Sequence, residues 1–431
     1  MVLDENEMAD VGVDERQLEI TLTTKLPEEF HVDTPGAIVV PQRLGRYGLS
    51  ELVNHMLERD EPMPFDFLIN GEFLRSTLAQ YMKFNNVTAE TVLDVEYCLA
   101  MPSPETDEVD TNEDWLASIS TLPASSSDEV SVATASFDGV LRFYAGEPLA
   151  RVAQHKIADL PIKSMHALRH NNIIVVGLGL KDGRVMLNAY SVADPTKCIF
   201  SSESDAGAHK GSVDAVQLSP DGSFLASGGT DNVVLVWNSE NAMNATGEKS
   251  KKRKIQELSQ RHKLDEHKDA ISSLKWADNL TLMSGAVDMH VKVWDVASGA
   301  QAVSLPVAKA VCDFDYMPAK FGMDAQIVTG HADGRTHVWK VKNAEKSWAD
   351  AKIEVVQTFA PFTRIVPAVK FTNLEDKTAS AVAFVAGSQD GQLKVFDARA
   401  KVARAACSAE EGVRLLCLNW LKKNLKNISG I

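Results

Sequence analysis

A motif that returns at a nearly constant interval constrains the fold of this chain more than any other feature. Two copies carry a histidine, a serine, an aspartate and a tryptophan in the same order, spanning 28 residues in one copy and 27 in the other. These residues are His209, Ser227, Asp231 and Trp237, followed by His267, Ser284, Asp288 and Trp294. The residues between them differ, so the constant spacing indicates a repeated piece of three-dimensional structure.

Weaker copies extend the series in both directions. Each contains an Asp-Gly pair, which favours a tight turn between strands: Asp138-Gly139, Asp182-Gly183, Asp333-Gly334 and Asp390-Gly391. A period of roughly 40–45 residues is typical of WD-type blades, each made of four short strands. A seventh copy begins at residue 412, but the sequence ends before its third strand. We therefore expect an all-β WD40 propeller over residues 128–431, with seven blades and an incomplete last one. A strand near residues 115–119 is a candidate to close the ring.

The recurring polar residues have two interpretations. A serine, a histidine and an aspartate can form a catalytic triad, which requires a nucleophile beside a base and an oxyanion hole. In this chain the set recurs with the repeat and always includes a tryptophan, which favours a buried hydrogen-bond chain from Trp to Ser to His to Asp. We favour the structural interpretation, and labelling of Ser227 by a serine-directed probe would contradict it.

The residues before the propeller predict a separate α+β domain over residues 16–99. Alternating apolar residues predict strands at 17–23, 37–40, 65–69 and 92–97, while helical spacing predicts a main helix at 47–57 and a short one at 77–82. That order of elements is ubiquitin-like. Residues 1–15 read as a disordered acidic tail and 100–127 as an acidic linker.

Composition excludes several classes of function. The net charge of −15 argues against broad electrostatic binding of DNA or RNA. The sequence has no apolar run of about 18 residues, so we expect no membrane span. The five cysteines form no CxxC pair, no Cys/His set has zinc spacing, and no glycine-rich phosphate loop occurs. We expect no cofactor, no metal bound by the chain itself and no enzymatic activity.

One basic run stands out in this acidic chain. Lys251, Lys252, Arg253 and Lys254 lie in an insertion at residues 238–265 between two repeats. Three interpretations fit the run: a solvated loop, a contact with RNA, or a nuclear import signal. A position in a disordered insertion favours import, with direct RNA contact as a secondary possibility.

The leading domain carries the more specific resemblance. Residues 46–57 (RYGLSELVNHML), 64–69 (PFDFLI), 94–97 (DVEY) and 112–115 (NEDW) resemble the eukaryotic WD-repeat ribosome-biogenesis factor that joins pescadillo and the block-of-proliferation protein. The resemblance covers nearly the whole chain. It implies a nuclear protein of the nucleolus and nucleoplasm that acts in assembly of the large (60S) ribosomal subunit and in rRNA processing. The implied partners are the block-of-proliferation protein, pescadillo, the AAA ATPase midasin and the pre-60S particle.

The same resemblance implies a role for one carboxylate. In the family, a glutamate in the loop before the last strand of the leading domain completes the shell of a Mg²⁺ ion held by midasin, and Glu90 matches it. Mg²⁺ prefers octahedral oxygen ligands and accepts a carboxylate readily. Without the resemblance, a loop glutamate would be read as solvated surface. Glu72 and Glu96 serve as comparisons, because Glu72 follows a turn and Glu96 lies within a strand, so neither should present its carboxylate in the same way.

A second class of function remains open. Residues 396–399 (FDAR) resemble the WD-x-R ending of substrate receptors of cullin-type ubiquitin ligases, with Phe in place of Trp. Co-purification of a cullin and its adaptor would favour that alternative, whereas pescadillo and pre-60S particles would favour the assembly factor.

Overall fold

The computed structural model describes residues 16–32, 36–58, 61–88, 91–100, 114–124, 126, 129–205, 207–245, 256–319, 324–344, 348–372, 383–397 and 403–408. These residues fall into two compact units, a small leading domain and a series of four-stranded sheets. The predicted tail at 1–15 and residues 101–113 of the predicted linker lie outside the described residues.

The leading domain is a five-stranded mixed sheet with two helices. In chain order its elements are β1 Gln17–Thr24, a 3₁₀ turn Glu28–Phe30, β2 Ile38–Pro41, α1 Arg46–Met56, β3 Phe65–Ile69, β4 Glu72–Phe73, α2 Leu78–Asn85 and β5 Leu93–Leu99. The strand order is β2-β1-β5-β3-β4, with β1 and β5 parallel at the centre. The predicted α+β fold is confirmed. The sequence missed the 3₁₀ turn Glu28–Phe30 and also β4, because two paired residues give no period of their own.

Simple sequence rules account for this domain. Leu18, Ile20 and Leu22 alternate along β1 and are buried, as expected for a strand with one face in the core. Helix α2 begins with a capping box, in which the side chains of Thr77 and Gln80 each accept a hydrogen bond from the other's backbone amide.

Six blades of four strands lie within the described residues. Blade 1 contains β6 Leu116–Thr121, β7 Val130–Ser136, β8 Val140–Ala145 and β9 Ala150–Lys156. Blade 2 contains β10 Ile162–His170, β11 Ile173–Leu180, β12 Val185–Ser191 and β13 Cys198–Glu203. Blade 3 contains β14 Val213–Leu218, β15 Phe224–Gly229, β16 Val234–Asn238 and β18 Gln260–Leu264; α3 Glu240–Met243 and β17 Gln256–Glu257 lie between its third and fourth strands. Blade 4 contains β19 Ile271–Trp276, β20 Thr281–Ala286, β21 His290–Asp295 and β22 Ala300–Pro306; blade 5 contains β23 Val311–Met317, β24 Ala325–His331, β25 Thr336–Lys342, a 3₁₀ turn Trp348–Asp350 and β26 Lys352–Phe359; blade 6 contains β27 Ala368–Phe371, β28 Ala383–Gly387, β29 Gln392–Asp397 and β30 Ala403–Ser408. The predicted seventh copy, from residue 412, lies outside the described residues.

Two expectations about boundaries were wrong. The strand near residues 115–119 does not close the ring; as β6 it pairs with β7 and forms the first strand of blade 1, inside the predicted linker. The strand itself was expected, but its place in blade 1 depends on partners distant in the chain, because the hydroxyls of Ser118 and Ser120 donate to the carbonyls of Met165 and Ala167 in blade 2.

The insertion at 238–265 is also shorter than expected. Its last part is β18, which pairs with β16 as the outer strand of blade 3. In addition, β17 adds a fifth, parallel strand to the outer edge of blade 2, and Leu258 is buried immediately after it. The described ends of the insertion are therefore held on blades 2 and 3.

Side chains of the first strands join neighbouring blades to each other. Ser164 donates to the carbonyl of Val213 at 2.9 Å, and Ser272 to the carbonyl of Val311 at 2.7 Å. Between blades 5 and 6, a carboxylate takes over this role, because Asp315 accepts a hydrogen bond from the Phe371 amide at 2.9 Å. Such contacts satisfy polar groups that the packing of blades has removed from water.

Removing the carboxylate of Asp315 tests this coupling of blades. Besides the Phe371 amide, Asp315 lies 3.3 Å from the ammonium of Lys370 and 3.8 Å from that of Lys275. We expect Asp315→Ala to lower the free energy of unfolding by about 3 kcal/mol, since it leaves two lysines and an amide without this acceptor. Urea denaturation followed by tryptophan fluorescence measures the change.

Two further variants sharpen that measurement. Asp315→Asn retains an oxygen for the Phe371 amide and should lose less stability than the alanine variant. Asp194→Ala, at a half-exposed turn where water screens the pair with Lys197, should unfold near the wild-type urea concentration. Equal midpoints for Asp315→Ala and Asp194→Ala would contradict the proposed coupling.

Candidate functional site

The repeated polar residues form one hydrogen-bonded chain in blade 3 and another in blade 4. In blade 3 the Trp237 indole donates to the Ser227 hydroxyl at 2.8 Å, Ser227 lies 2.8 Å from His209 Nε2, and His209 Nδ1 lies 3.0 Å from Asp231. In blade 4 Trp294, Ser284, His267 and Asp288 repeat it at 2.8, 2.7 and 2.7 Å. The structure thus brings together all eight residues that the sequence singled out.

The surroundings of this chain fit a structural role. Ser227 and Ser284 are completely buried, and each hydroxyl is occupied by an indole on one side and an imidazole on the other. Burial lowers the pKa of His209 and of His267, which keeps each imidazole neutral and lets Nδ1–H donate to its aspartate. A nucleophile needs access to a substrate, and these hydroxyls have none.

Two other blades use variants that the sequence reading missed. In blade 5 the Thr329 hydroxyl takes the place of serine, with the Trp339 indole at 3.0 Å and His331 Nε2 at 2.8 Å. In blade 1 the buried Arg142 donates to Ser136 at 2.7 Å and pairs with Asp138. The available signal was His331 two residues before the Asp333-Gly334 turn, a position that Ser136 occupies in blade 1.

A cavity of about 180 Å³ lies where the first strands of the six blades meet. Three lysines and two aspartates line it: Lys163, Lys275, Lys370, Asp214 and Asp313. Burial raises the pKa of Asp313, whereas Asp315 raises that of Lys370. Within the described residues, no cluster of three or more His, Cys, Asp or Glu side chains is arranged to hold a metal ion.

His166 in the same cavity is a neutral acceptor. Burial, reinforced by the charges of Lys275 and Lys370, lowers its pKa to about 3. Its Nδ1 accepts a hydrogen bond from the backbone amide of Leu218 at 3.2 Å, so this imidazole also joins two blades.

The proposed metal-completing residue, Glu90, lies outside the described residues, but both ends of its loop are described. The Thr88 carbonyl accepts hydrogen bonds from the Thr91 amide at 3.3 Å and from the Thr91 hydroxyl at 2.6 Å. The chain entering the loop is therefore tied to the chain leaving it.

The two comparison glutamates are placed differently. Glu72 lies in β4 opposite Ile69, and Glu96 lies in β5, where its carboxylate is 3.5 Å from the Lys25 ammonium. Neither belongs to the loop before β5. The basic run Lys251, Lys252, Arg253 and Lys254 falls outside the described residues. No helix among those described is long and apolar enough to cross a bilayer.

Comparison with known proteins matches both units. Residues 18–82 match the NLE (NUC135) domain, and residues 198–238 and 258–295 match the WD domain, G-beta repeat. The chain is 31% identical to a ribosome biogenesis protein WDR12 homolog of Chlamydomonas reinhardtii, over 95% of this chain and 93% of the relative. It is 26% identical to the WDR12 homolog of Drosophila persimilis, over 95% and 92%, and 25% identical to ribosome biogenesis protein ytm1 of Aspergillus oryzae, over 90% and 82%.

These matches place the chain in a class that the fold had already indicated, WD-repeat proteins with a leading NLE domain. With the similarity extending over nearly its whole length, the chain belongs to the WDR12/YTM1 family of ribosome biogenesis proteins. The resemblance inferred from residues 46–57, 64–69, 94–97 and 112–115 is confirmed.

Removing the shared hydroxyl of blade 4 tests its structural role. We expect Ser284→Ala to lower the free energy of unfolding by about 2 kcal/mol, because Trp294 Nε1 and His267 Nε2 lose their common partner in a dry site. Denaturant unfolding measures the loss. Ser298→Ala, at an exposed turn, is the control, and a serine-directed covalent probe should leave Ser284 unlabelled in the folded protein. Labelling would contradict the structural role.

Buried neutral imidazoles also predict a dependence of stability on pH. The pKa of His166 is lowered in the folded state, so the unfolded chain takes up a proton near pH 6.5 that the folded chain refuses until about pH 3. The stability contribution is therefore complete above pH 6.5 and declines as the pH falls. Between pH 6.5 and 5 the decline should be up to about 1.5 kcal/mol for this group.

A matched pair of variants isolates that decline. His166→Gln should flatten the loss of stability between pH 6.5 and 5, whereas His170→Gln, at the exposed end of the same strand, should keep the wild-type slope. Identical slopes for wild type and His166→Gln would contradict the assignment.

Proposed function

We propose that this protein is a non-enzymatic assembly factor for the large (60S) ribosomal subunit and for rRNA processing, acting in the nucleolus and nucleoplasm. One observation carries the proposal: similarity to ribosome biogenesis proteins extends through both the NLE domain and the propeller, over 95% of the chain. The buried hydroxyls in blades 3 and 4 support a binding role over a catalytic one.

In this proposal the propeller binds the block-of-proliferation protein and, with it, pescadillo on the pre-60S particle. Blades joined side by side through Ser164, Ser272 and Asp315 give a rigid surface with little to lose in ordering on binding. Rigid propellers offer their faces and loops to protein partners, which fits a large protein interface.

The leading domain is proposed to present Glu90 to the Mg²⁺ ion of the midasin adhesion site. A carboxylate supplied from another molecule can fill one position of an octahedral oxygen shell. The hydrogen bonds between Thr88 and Thr91 support this role, because they fix the two ends of the loop that carries Glu90. ATP-driven pulling by midasin on this contact would then release the assembly factors from the particle.

Replacing Glu90 tests the contact with midasin. Glu90→Ala should abolish capture of midasin in a magnesium-containing pull-down, because no oxygen remains to complete the shell. Glu90→Asp, shorter by one methylene, and Glu90→Gln, without charge, should both weaken capture at least tenfold.

Two controls accompany this experiment. Glu72→Ala, in β4 of the same domain, should bind midasin as the wild type does, and chelation of Mg²⁺ should release the wild-type protein. All Glu90 variants should retain the block-of-proliferation protein. Normal binding of midasin by Glu90→Ala would refute the assignment.

The basic run Lys251, Lys252, Arg253 and Lys254 is proposed as the nuclear import signal, with RNA contact secondary. In the sequence it falls between Ala245 and Gln256, which are the last described residues on either side of it. The described parts of this insertion pair with blades 2 and 3. The cullin-receptor alternative gains no support from its motif, since Phe396 and Asp397 are buried and residues 398–399 lie outside the described part.

A further inference from the structure

The propeller carries an exposed aromatic pair at one end of blade 1. The Trp115 side chain, just before β6, is 57% exposed, and its ring centroid lies 6.3 Å from that of the half-buried Phe137. The backbone also connects the two residues, because the amide of Phe137 donates to the carbonyl of Trp115 at 2.9 Å. The pair is thus attached to the backbone as well as through its rings.

Two further residues lie at the same end of blade 1. Leu160, 39% exposed, belongs to the loop that packs against the turn after Phe137, where a Cβ on Gly139 would come within 2.9 Å of the Leu160 carbonyl. The ammonium of Lys163 lies 4.9 Å from the centroid of the Phe137 ring, in a cation–π contact. We call Trp115, Phe137, Leu160 and Lys163 the blade 1 patch.

The patch is held rigid by the polar network beneath it. Asp138, next to Phe137, is fixed by Arg142 and Ser136, and its carboxylate also accepts the amide of Val140 at 2.9 Å. A preorganised aromatic surface loses little entropy on binding, and exposed tryptophans of this kind dominate the energy of protein interfaces.

Two exposed carboxylates beside the patch favour a protein over a nucleic acid as its occupant. Asp159 is fully exposed, paired at 3.6 Å only with the half-exposed Lys156 among the described residues, and Asp114 is exposed beside Trp115. These carboxylates would repel a phosphate backbone, as would the net charge of −15. They complement a protein segment that carries lysine or arginine beside an apolar side chain.

We propose that the blade 1 patch is an anchor point for the protein partner of the propeller, taking an aromatic or aliphatic side chain of that partner flanked by a basic residue. The apolar side chain packs on Trp115 and Leu160, and the basic residue pairs with Asp159. This inference rests on the proposed binding of the block-of-proliferation protein and assigns that contact to the end of the propeller that bears the Asp138 turn.

Affinity measurements on the full chain test the assignment, with the purified block-of-proliferation protein as the probe. Trp115→Ala should weaken binding at least tenfold, and Asp159→Lys should weaken it several-fold and reduce its sensitivity to salt. Leu280→Ala, 46% exposed between β19 and β20 at the opposite end of the blades, and Asp350→Lys, exposed beside β26, are the matched controls and should bind as the wild type does.

The outcomes separate this inference from the proposed function. If the wild type binds and both Trp115→Ala and Asp159→Lys bind equally well, the anchor point is refuted while the proposed partnership stands. If the wild type does not bind, both are refuted. Because Trp115 is half exposed, Trp115→Ala should keep the wild-type unfolding transition; should it instead unfold early, Asp159→Lys and Leu160→Ser decide the question.

Discussion

A buried hydroxyl shared by an indole and an imidazole is the interaction on which the regular blades depend. Ser227 and Ser284 each connect the third strand, through tryptophan, to the loop before the first strand, through histidine, and thence to the turn aspartate. Polar groups so deep in the protein are costly unless each finds a partner, so one serine fixes the relative positions of three chain segments. The spacing of the motif follows from this geometry.

A second set of polar contacts acts between blades instead of within them. His166, Asp313 and Asp315 each accept a backbone amide from the next first strand. These hydrogen bonds set the alignment of neighbouring first strands. Apolar packing alone could not do so, because it is not directional. The centre of the propeller is consequently lined by polar and charged side chains.

The sequence predicted those elements whose physics is local. The alternation of Leu18, Ile20 and Leu22 and the spacing of His209 and Trp237 each depend on residues close in the chain or on a fixed motif. Features that depend on distant partners escaped prediction. A strand near residues 115–119 was expected, but not its place as β6 in blade 1, where Ser118 and Ser120 find partners in blade 2. The network of Arg142 was also missed, because it uses a cation where the motif has histidine.

The candidate sites also differ in whether they depend on a local motif or on residues distant in the chain. The structural residues of blades 3 and 4 were evident from their repetition, whereas the pairing of Trp115 with Phe137 was not, since only folding brings residue 115 beside the turn of Asp138. The role of Glu90 comes from the family resemblance. The structure adds only the hydrogen bond between Thr88 and Thr91 at the two ends of its loop.

The added strand β17 has a consequence for solubility. The outer strand of a blade exposes a row of amides and carbonyls that can recruit a strand from another molecule, which is a common route to aggregation. By covering Ser202 and Glu203 with Gln256 and Glu257, this protein shields part of one such margin with its own insertion. The segment that interrupts the repeat therefore occupies edge positions of blade 2 with which a strand of another molecule could otherwise pair.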